Sequence, residues 1–227
     1  MNIGVLLSGC GVYDGAEIQE AILSMLAIKE AGHNYVCISV DKNQHHVVNH
    51  TNGEEMDETR NMLIEASRIA RGDISEISDI SPANIDALVI PGGFGSAKNL
   101  TTWAFSGPDG EILPEVKLLL VNMVNVGKPI CALCVSPVVL AKAFEGSEIS
   151  ARMTLGTDQD PSPYDIPDFH AGIESVGAVA EMKTIHEISV DVENKIVSAP
   201  CYMMDVTIAD IRANTKMAVE KMIELCG

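Results

Sequence analysis

The chain has 227 residues, 47% hydrophobic and 21% charged, the balance of a soluble globular protein with a large aliphatic core. Lys and Arg number 15 against 32 Asp and Glu, and the formal net charge of −17 opposes docking on nucleic acid or on an anionic membrane. No run approaches the roughly 20 apolar residues of a membrane span. Only 4% of residues are aromatic, and the six cysteines lack the dense spacing of a disulfide framework, so reduced thiols and a cytoplasmic location are expected.

Short aliphatic runs alternate with helical patterns along the chain. Ile3 to Leu7 reads as a buried strand that ends in the turn Ser8-Gly9-Cys10-Gly11; it lacks the basic flank of a signal peptide. A helix with apolar positions Ile18, Ala21, Ile22, Met25 and Ile28 follows and stops at Gly32. Tyr35 to Val40 is a second strand. A helix is expected over Glu55 to Arg71, a short strand over Ile74 to Ile80, and another over Ala87 to Ile90, which runs into Pro91-Gly92-Gly93. The helix Pro114 to Val126 leads to the strand Pro129 to Leu133, and a further helix starts near Pro137. Phe94 to Gly110 and Gly156 to Val176 read as long loops. Glu187 to Val192 and Lys195 to Ser198 form a hairpin, and Val206 to Cys226 is the closing helix. This alternation predicts one α/β domain over residues 1–227, with a mostly parallel sheet covered on both faces.

Ligands of open α/β sheets sit beyond the carboxyl ends of the strands. Three segments fall there: Gly9 to Glu17, Pro91 to Gly95, and Cys131 to Pro137. In the third, a strand meets a sharp turn and then a helix, a context that can expose one strained residue as a nucleophile. Cys134 occupies that turn, where a helix N-terminus favours thiolate; a buried inert cysteine is the plainer alternative. Cys131 and Cys134 also spell C-x-x-C. With Cys131 inside an extended strand, the two Cα atoms lie too far apart for a disulfide, and no second pair exists to complete a zinc site. His46, His50 and Glu54 have helical ligand spacing, but Asn52-Gly53 and the missing apolar stripe favour a solvated loop. No metal and no cofactor are expected. Pro91-Gly92-Gly93 lacks the lysine of a P-loop, and the Gly9-x-Gly11 pattern carries Asp14 where a nucleotide fingerprint has its third glycine. Glu17, opening the first helix, reads as a first-turn acid that complements the dipole, unless the fold carries it over Cys134.

These blocks, taken together, resemble the PfpI/class I glutamine amidotransferase-like superfamily. The opening Ile3 to Ile18 is similar to its ElbB branch, the sigma cross-reacting or isoprenoid-biosynthesis-linked proteins. So are Glu58 to Asn61, Pro91 to Leu100, Gly156 to Asp158 and Asn194 to Val197. The resemblance implies a flavodoxin-like three-layer α/β sandwich with a C-terminal β-hairpin extension and a nucleophile elbow at Cys134. It implies Glu17 as the acidic partner of the thiol, and the N–H groups of Gly93 and Val135 as an oxyanion hole. Cys10 and Cys201 are candidate neighbours of the site. The triad histidine of a glutaminase has no match: neither His170 nor His186, in His186-Glu187-Ile188, stands at an equivalent position. That disfavours an amidotransferase. The resemblance instead implies a glutathione-independent glyoxalase acting on a small-molecule carbonyl substrate, in a homodimer; a cluster of Cys134, Cys10 and Cys201 at the strand ends leaves a non-catalytic thiol redox sensor or interaction protein as the alternative.

Overall fold

The computed structural model describes residues 1–227. Seven strands form one sheet in the order β3-β2-β1-β4-β5-β9-β8. At its centre β1 (Asn2–Leu6) pairs in parallel with β2 (Asn34–Ser39) on one side and β4 (Ala87–Ile90) on the other. β3 (Ile74–Glu76) extends one edge; β5 (Ile130–Leu133) and β9 (Ile196–Ala199) continue the parallel run toward the other. β8 (Ser189–Asp191) is antiparallel to β9 and completes the expected hairpin. Lys195 closes its turn in the left-handed region, at φ 54°. This is the flavodoxin-like α/β arrangement.

Every residue of β4 and β5 is buried, as continuous apolar runs in a doubly covered sheet require. On one face α1 (Ile18–Glu30) packs against α7 (Ile208–Glu224) and touches α2 (Met62–Ile69); elsewhere α4 (Pro114–Asn125) packs on α5 (Pro137–Phe144). A small parallel pair, β6 (Arg152–Met153) with β7 (Val179–Ala180), encloses α6 (Ile166–Ser175) in sequence.

Four expectations change. The strand expected over Ile74 to Ile80 ends at Glu76, whose side chain caps a 3-10 turn, Ile77–Asp79, by accepting from the Ser78 N–H. The helix over 55–71 shrinks to α2, because Asn61 caps it by accepting from the Ile64 N–H at 3.0 Å, and residues before it form an irregular loop with isolated bridges. The segment 156–176 is not one loop: Asp165 caps α6, and Pro167 sits in its first turn, where its missing N–H does no harm. Between Phe94 and Gly110 the chain makes a π-helical turn, Ser96–Leu100, and a one-turn helix, α3 (Trp103–Ser106).

Candidate active site

Cys134 follows directly on β5 with φ 56°, a left-handed conformation that costs a non-glycine residue about 1–2 kcal/mol. The strain is held in place from both sides. The Cys134 N–H donates to the Ala199 carbonyl (2.9 Å), and the Ser136 hydroxyl lies 2.8 Å from the carbonyls of both Ile90 and Leu133. The elbow is thus clamped between β4 and β9 before Pro137 opens α5.

Two glycines let neighbouring loops close over the sulfur. A Cβ on Gly92 would stand 2.8 Å from Cys134 Sγ and 2.7 Å from Glu20 Oε2, so only a bare backbone passes there. Gly93 has φ 95°, and a side chain on it would collide with the backbone of Gly15 and Glu17. The Glu17 N–H, donating to the Gly92 carbonyl at 2.9 Å, ties the first loop to this turn. The N–H groups of Gly93 and Val135 act on the Cys134 sulfur in the sense that favours its ionised form.

The carboxyl group at the thiol belongs to Glu20, not Glu17. Glu17 is the N-cap of α1 and turns its Oε2 back to the Glu20 N–H at 2.6 Å. One turn further along, Glu20 enters the core with no exposed surface. Its Oε2 accepts from the Gly92 N–H (2.8 Å), its Oε1 accepts from the Tyr202 N–H (3.2 Å), and it hydrogen-bonds Cys134. Burial, reinforced by the Glu17 charge, pushes the Glu20 carboxyl up to about 8, so it is mostly protonated at neutral pH.

Burial also pushes the Cys134 thiol well above its ordinary value. Glu20 and Cys201 add to that, and the Gly93 and Val135 N–H groups pull against it. The thiolate expected from helix α5 is therefore not the resting form: desolvation outweighs the helix terminus, which begins three residues away with a proline that has no N–H to offer. Cys201 does lie beside Cys134, itself at φ 46°, fully buried, with its sulfur 3.6 Å from Asn214 Oδ1 and Thr215 Oγ1. Cys10 does not belong to this group. Its charged surroundings are Glu65, Arg68 and Asp14, because the glycine turn after β1 carries it toward α2. All six cysteines are free thiols, and Cys131 is buried inside β5.

Beside the sulfur lies a cavity of about 20 Å³, room for about one water. Val12, Phe94, Tyr164, Phe169, Tyr202 and Met203 wall it, and no histidine does. Beyond Phe94 and Phe169 opens a recess of about 490 Å³; beyond Tyr164 and Tyr202 opens another of about 420 Å³, where Glu17 sits. His170 points elsewhere, accepting from the Leu155 N–H on Nε2 at 3.1 Å. His46 faces Glu55 at 3.8 Å and His50 accepts from the Tyr13 N–H at 3.2 Å; no three His, Cys, Asp or Glu side chains converge as metal ligands.

A parallel α/β sheet with a strained cysteine at the end of a central strand, a buried carboxyl on its sulfur and two backbone donors defines a nucleophile-elbow protein of the amidotransferase-like class. A model of the DJ-1/PfpI family matches residues 10–154, and the chain belongs to that family. It is 38% identical, over all of its length and 84% of the relative's, to the human mitochondrial glutamine amidotransferase-like class 1 domain-containing protein 3. Identity and coverage are the same for the rat mitochondrial ES1 protein homolog. Among solved structures, an isoprenoid biosynthesis protein with an amidotransferase-like domain from Ehrlichia chaffeensis is 33% identical, with a TM-score of 0.90 and full coverage of both chains. The cytoplasmic expectation is corrected by these relatives: reduced thiols suit more than one compartment, and the human and rat proteins are named mitochondrial.

Proposed function

We propose that the protein is a cofactor-independent glyoxalase of the ElbB branch, converting a small 2-oxoaldehyde such as glyoxal or methylglyoxal to a 2-hydroxy acid. The contact of the buried Glu20 carboxyl with Cys134, under two backbone donors, carries this reading. Cys134 gives its proton to the Glu20 carboxylate as the sulfur adds to the aldehyde carbon C1. The oxygen on C1 becomes the oxyanion, held by the Gly93 and Val135 N–H groups, and takes a proton to give the hemithioacetal. Glu20, having passed its proton to that oxyanion, removes the hydrogen of C1 as a carboxylate and returns the same proton to C2. Meanwhile the proton of the C1 hydroxyl passes to the C2 oxygen, and C1 becomes the thioester carbonyl. Water hydrolyses the resulting thioester, and the sulfur leaves with a proton as thiol. The net change is addition of one water.

The high resting position of the thiol favours this reading over a redox sensor, which needs a thiolate before its oxidant arrives. The absence of a histidine from the cavity wall weighs against glutamine hydrolysis. The ElbB assignment is supported by the likeness to the Ehrlichia protein. Ile18, Ile22 and Leu26, exposed along α1, support a homodimer, to be checked by light scattering.

The test is lactate formation from methylglyoxal without glutathione. Multiple turnovers in the wild type, lost in Cys134→Ser and strongly reduced in Glu20→Gln, are expected. A single stoichiometric reaction per thiol would sink the glyoxalase in favour of the sensor.

A further inference from the structure

The cavity beside Cys134 has room for about one water, so no carbonyl compound reaches the sulfur unless a wall side chain moves. Three recesses lie behind that wall. One of about 490 Å³ shares Phe94, Val135 and Phe169 with it, and one of about 420 Å³ shares Val12, Tyr164 and Tyr202. A third, about 470 Å³, meets it only at Phe94. The walls differ in how firmly they are tied.

The side formed by Tyr164 and Tyr202 is fastened. The Tyr202 hydroxyl donates to Gln19 Oε1, and its N–H donates to Glu20 Oε1 at 3.2 Å. The Ser162 hydroxyl donates to the Met203 carbonyl (2.7 Å) and the Asp205 N–H to the Pro161 carbonyl (2.9 Å), which pins the loop that carries Tyr164. Phe94 is held as well. Its N–H donates to the Val12 carbonyl at 2.7 Å, and Lys98, bonded to the Tyr13 carbonyl at 3.0 Å, lies 5.4 Å from its ring centroid. No cation faces the ring of Phe169. That side chain projects from the first turns of α6 and meets Tyr164 with ring centroids 6.4 Å apart and planes at 80°.

The recess behind Phe169 is held open by the fold. The buried Trp103 stands against α6 at Gly172, where a Cβ would lie 2.9 Å from its Cζ2. Around that contact the lining positions Ala104, Gly107, Ala171 and Ser175 are too small to fill the space. The buried Lys142 donates to the Pro108 carbonyl at 2.7 Å and fixes the turn that brings Pro108 to the lining. Asp168 is the one charged group there and opposes an anionic occupant. Preformed, mostly apolar recesses of this size bind the unreactive parts of small molecules, and Val135, the neighbour of the nucleophile, stands in this one's wall. Resting on the glyoxalase reading, we propose that the recess binds an uncharged apolar substituent, aryl or branched alkyl, on C2 of the 2-oxoaldehyde, and that Phe169 swings aside to let C1 reach Cys134. The protein then prefers an aryl-substituted 2-oxoaldehyde such as phenylglyoxal to methylglyoxal.

Ala171→Trp tests the recess, since Ala171 is exposed on α6 and lines the recess but not the small cavity. In turnover, kcat/KM for phenylglyoxal relative to methylglyoxal falls about tenfold in the variant, the scale of discrimination by an apolar pocket. A second assay needs no turnover. N-benzyl iodoacetamide and iodoacetamide each alkylate the thiols, and peptide mass spectrometry reads Cys134 against Cys10, which is half-buried outside the site. The wild-type preference of Cys134 for the benzyl reagent falls about tenfold in Ala171→Trp. Phe169→Ala speeds alkylation of Cys134 by both reagents. An unaltered substrate preference or an unaltered labelling preference in Ala171→Trp overturns the recess as the subsite, and unaltered alkylation in Phe169→Ala overturns the route past that ring. If the wild type turns over neither aldehyde while Ala171→Trp loses the labelling preference, the glyoxalase reading is refuted and the recess stands as the apolar subsite of another thiol-reactive ligand.

Discussion

Glu20 makes the stability of this protein depend on pH in a direction opposite to that of most surface carboxylates. Unfolded, its carboxyl has the ordinary value of 4.5; folded, burial and the Glu17 charge raise it to about 8. The folded state therefore holds this proton more tightly than the unfolded state. Its contribution is complete below pH 4.5, is lost as pH rises, and is exhausted above pH 8. Within that window the slope is about 1.4 kcal/mol per pH unit, so between pH 5.5 and 7.5 about 2 to 3 kcal/mol should disappear. Other groups titrate over the same range, which makes the difference from Glu20→Gln the quantity to measure. Urea unfolding of the two proteins at half-unit steps should show the wild-type midpoint falling by about 1 M relative to the variant across this range, for a slope with denaturant of 2–3 kcal/mol/M. Parallel curves would refute the argument, since they would mean that Glu20 enters the core already ionised.

Further predictions rest on single contacts. In Gly92→Ala the new Cβ meets Cys134 Sγ and Glu20 Oε2, and overpacking there should cost about 1–3 kcal/mol and abolish Cys134 alkylation; ordinary alkylation would refute the close passage. His170 is held below its usual range by burial, so its bond to the Leu155 N–H adds stability above pH 6.5 that is lost as pH falls through the lowered folded value. His170→Gln should remove that acid-side loss in thermal melts. Thr207 and Asp210 form a capping box at the start of α7, and Thr207→Ala should cost about 1 kcal/mol in urea unfolding with no change at Cys134.

Strands and closing helix were legible because their signals are local. β4 and β5 are apolar throughout, and Gly92-Gly93 and Cys134 each follow a strand, so their place at the carboxyl end of the sheet follows from alternation alone. The boundaries that shifted depend on side-chain caps: Asn61 and Asp165 fix where α2 and α6 begin, and an Asn or Asp in a polar stretch is as easily read as a loop residue. The acid at the thiol escaped for a related reason. The pattern Ile18, Ile22, Met25 suggests an apolar face that leaves Glu20 outside. In the fold Ile18 and Ile22 are 40% and 48% exposed, while Glu20, Ala21, Ser24, Ala27 and Ile28 face inward. The available signal was the run of small residues after Glu20: alanine and serine on a helix mark a close approach, and an acid on that face has to find donors inside.

Those donors explain why a carboxyl can remain at this depth. The N–H groups of Gly92 and Tyr202 come from the loops after β4 and β9, and Cys134 comes from the loop after β5, so three strand ends meet on one side chain of α1. Protonated, Glu20 satisfies all three without burying a charge. Ionised, it becomes a base beside the thiol, at the expense of stability. The site is therefore most stable in the form that cannot start the proposed reaction, and the carboxyl becomes available as a base as it gives up its proton near pH 8. A pH–rate profile for Cys134 alkylation that climbs about tenfold per unit below pH 8 and flattens above it, with the break lost in Glu20→Gln, would tie the stability window and the chemistry to the same proton. A break that survives the substitution would assign it to another group and separate the two.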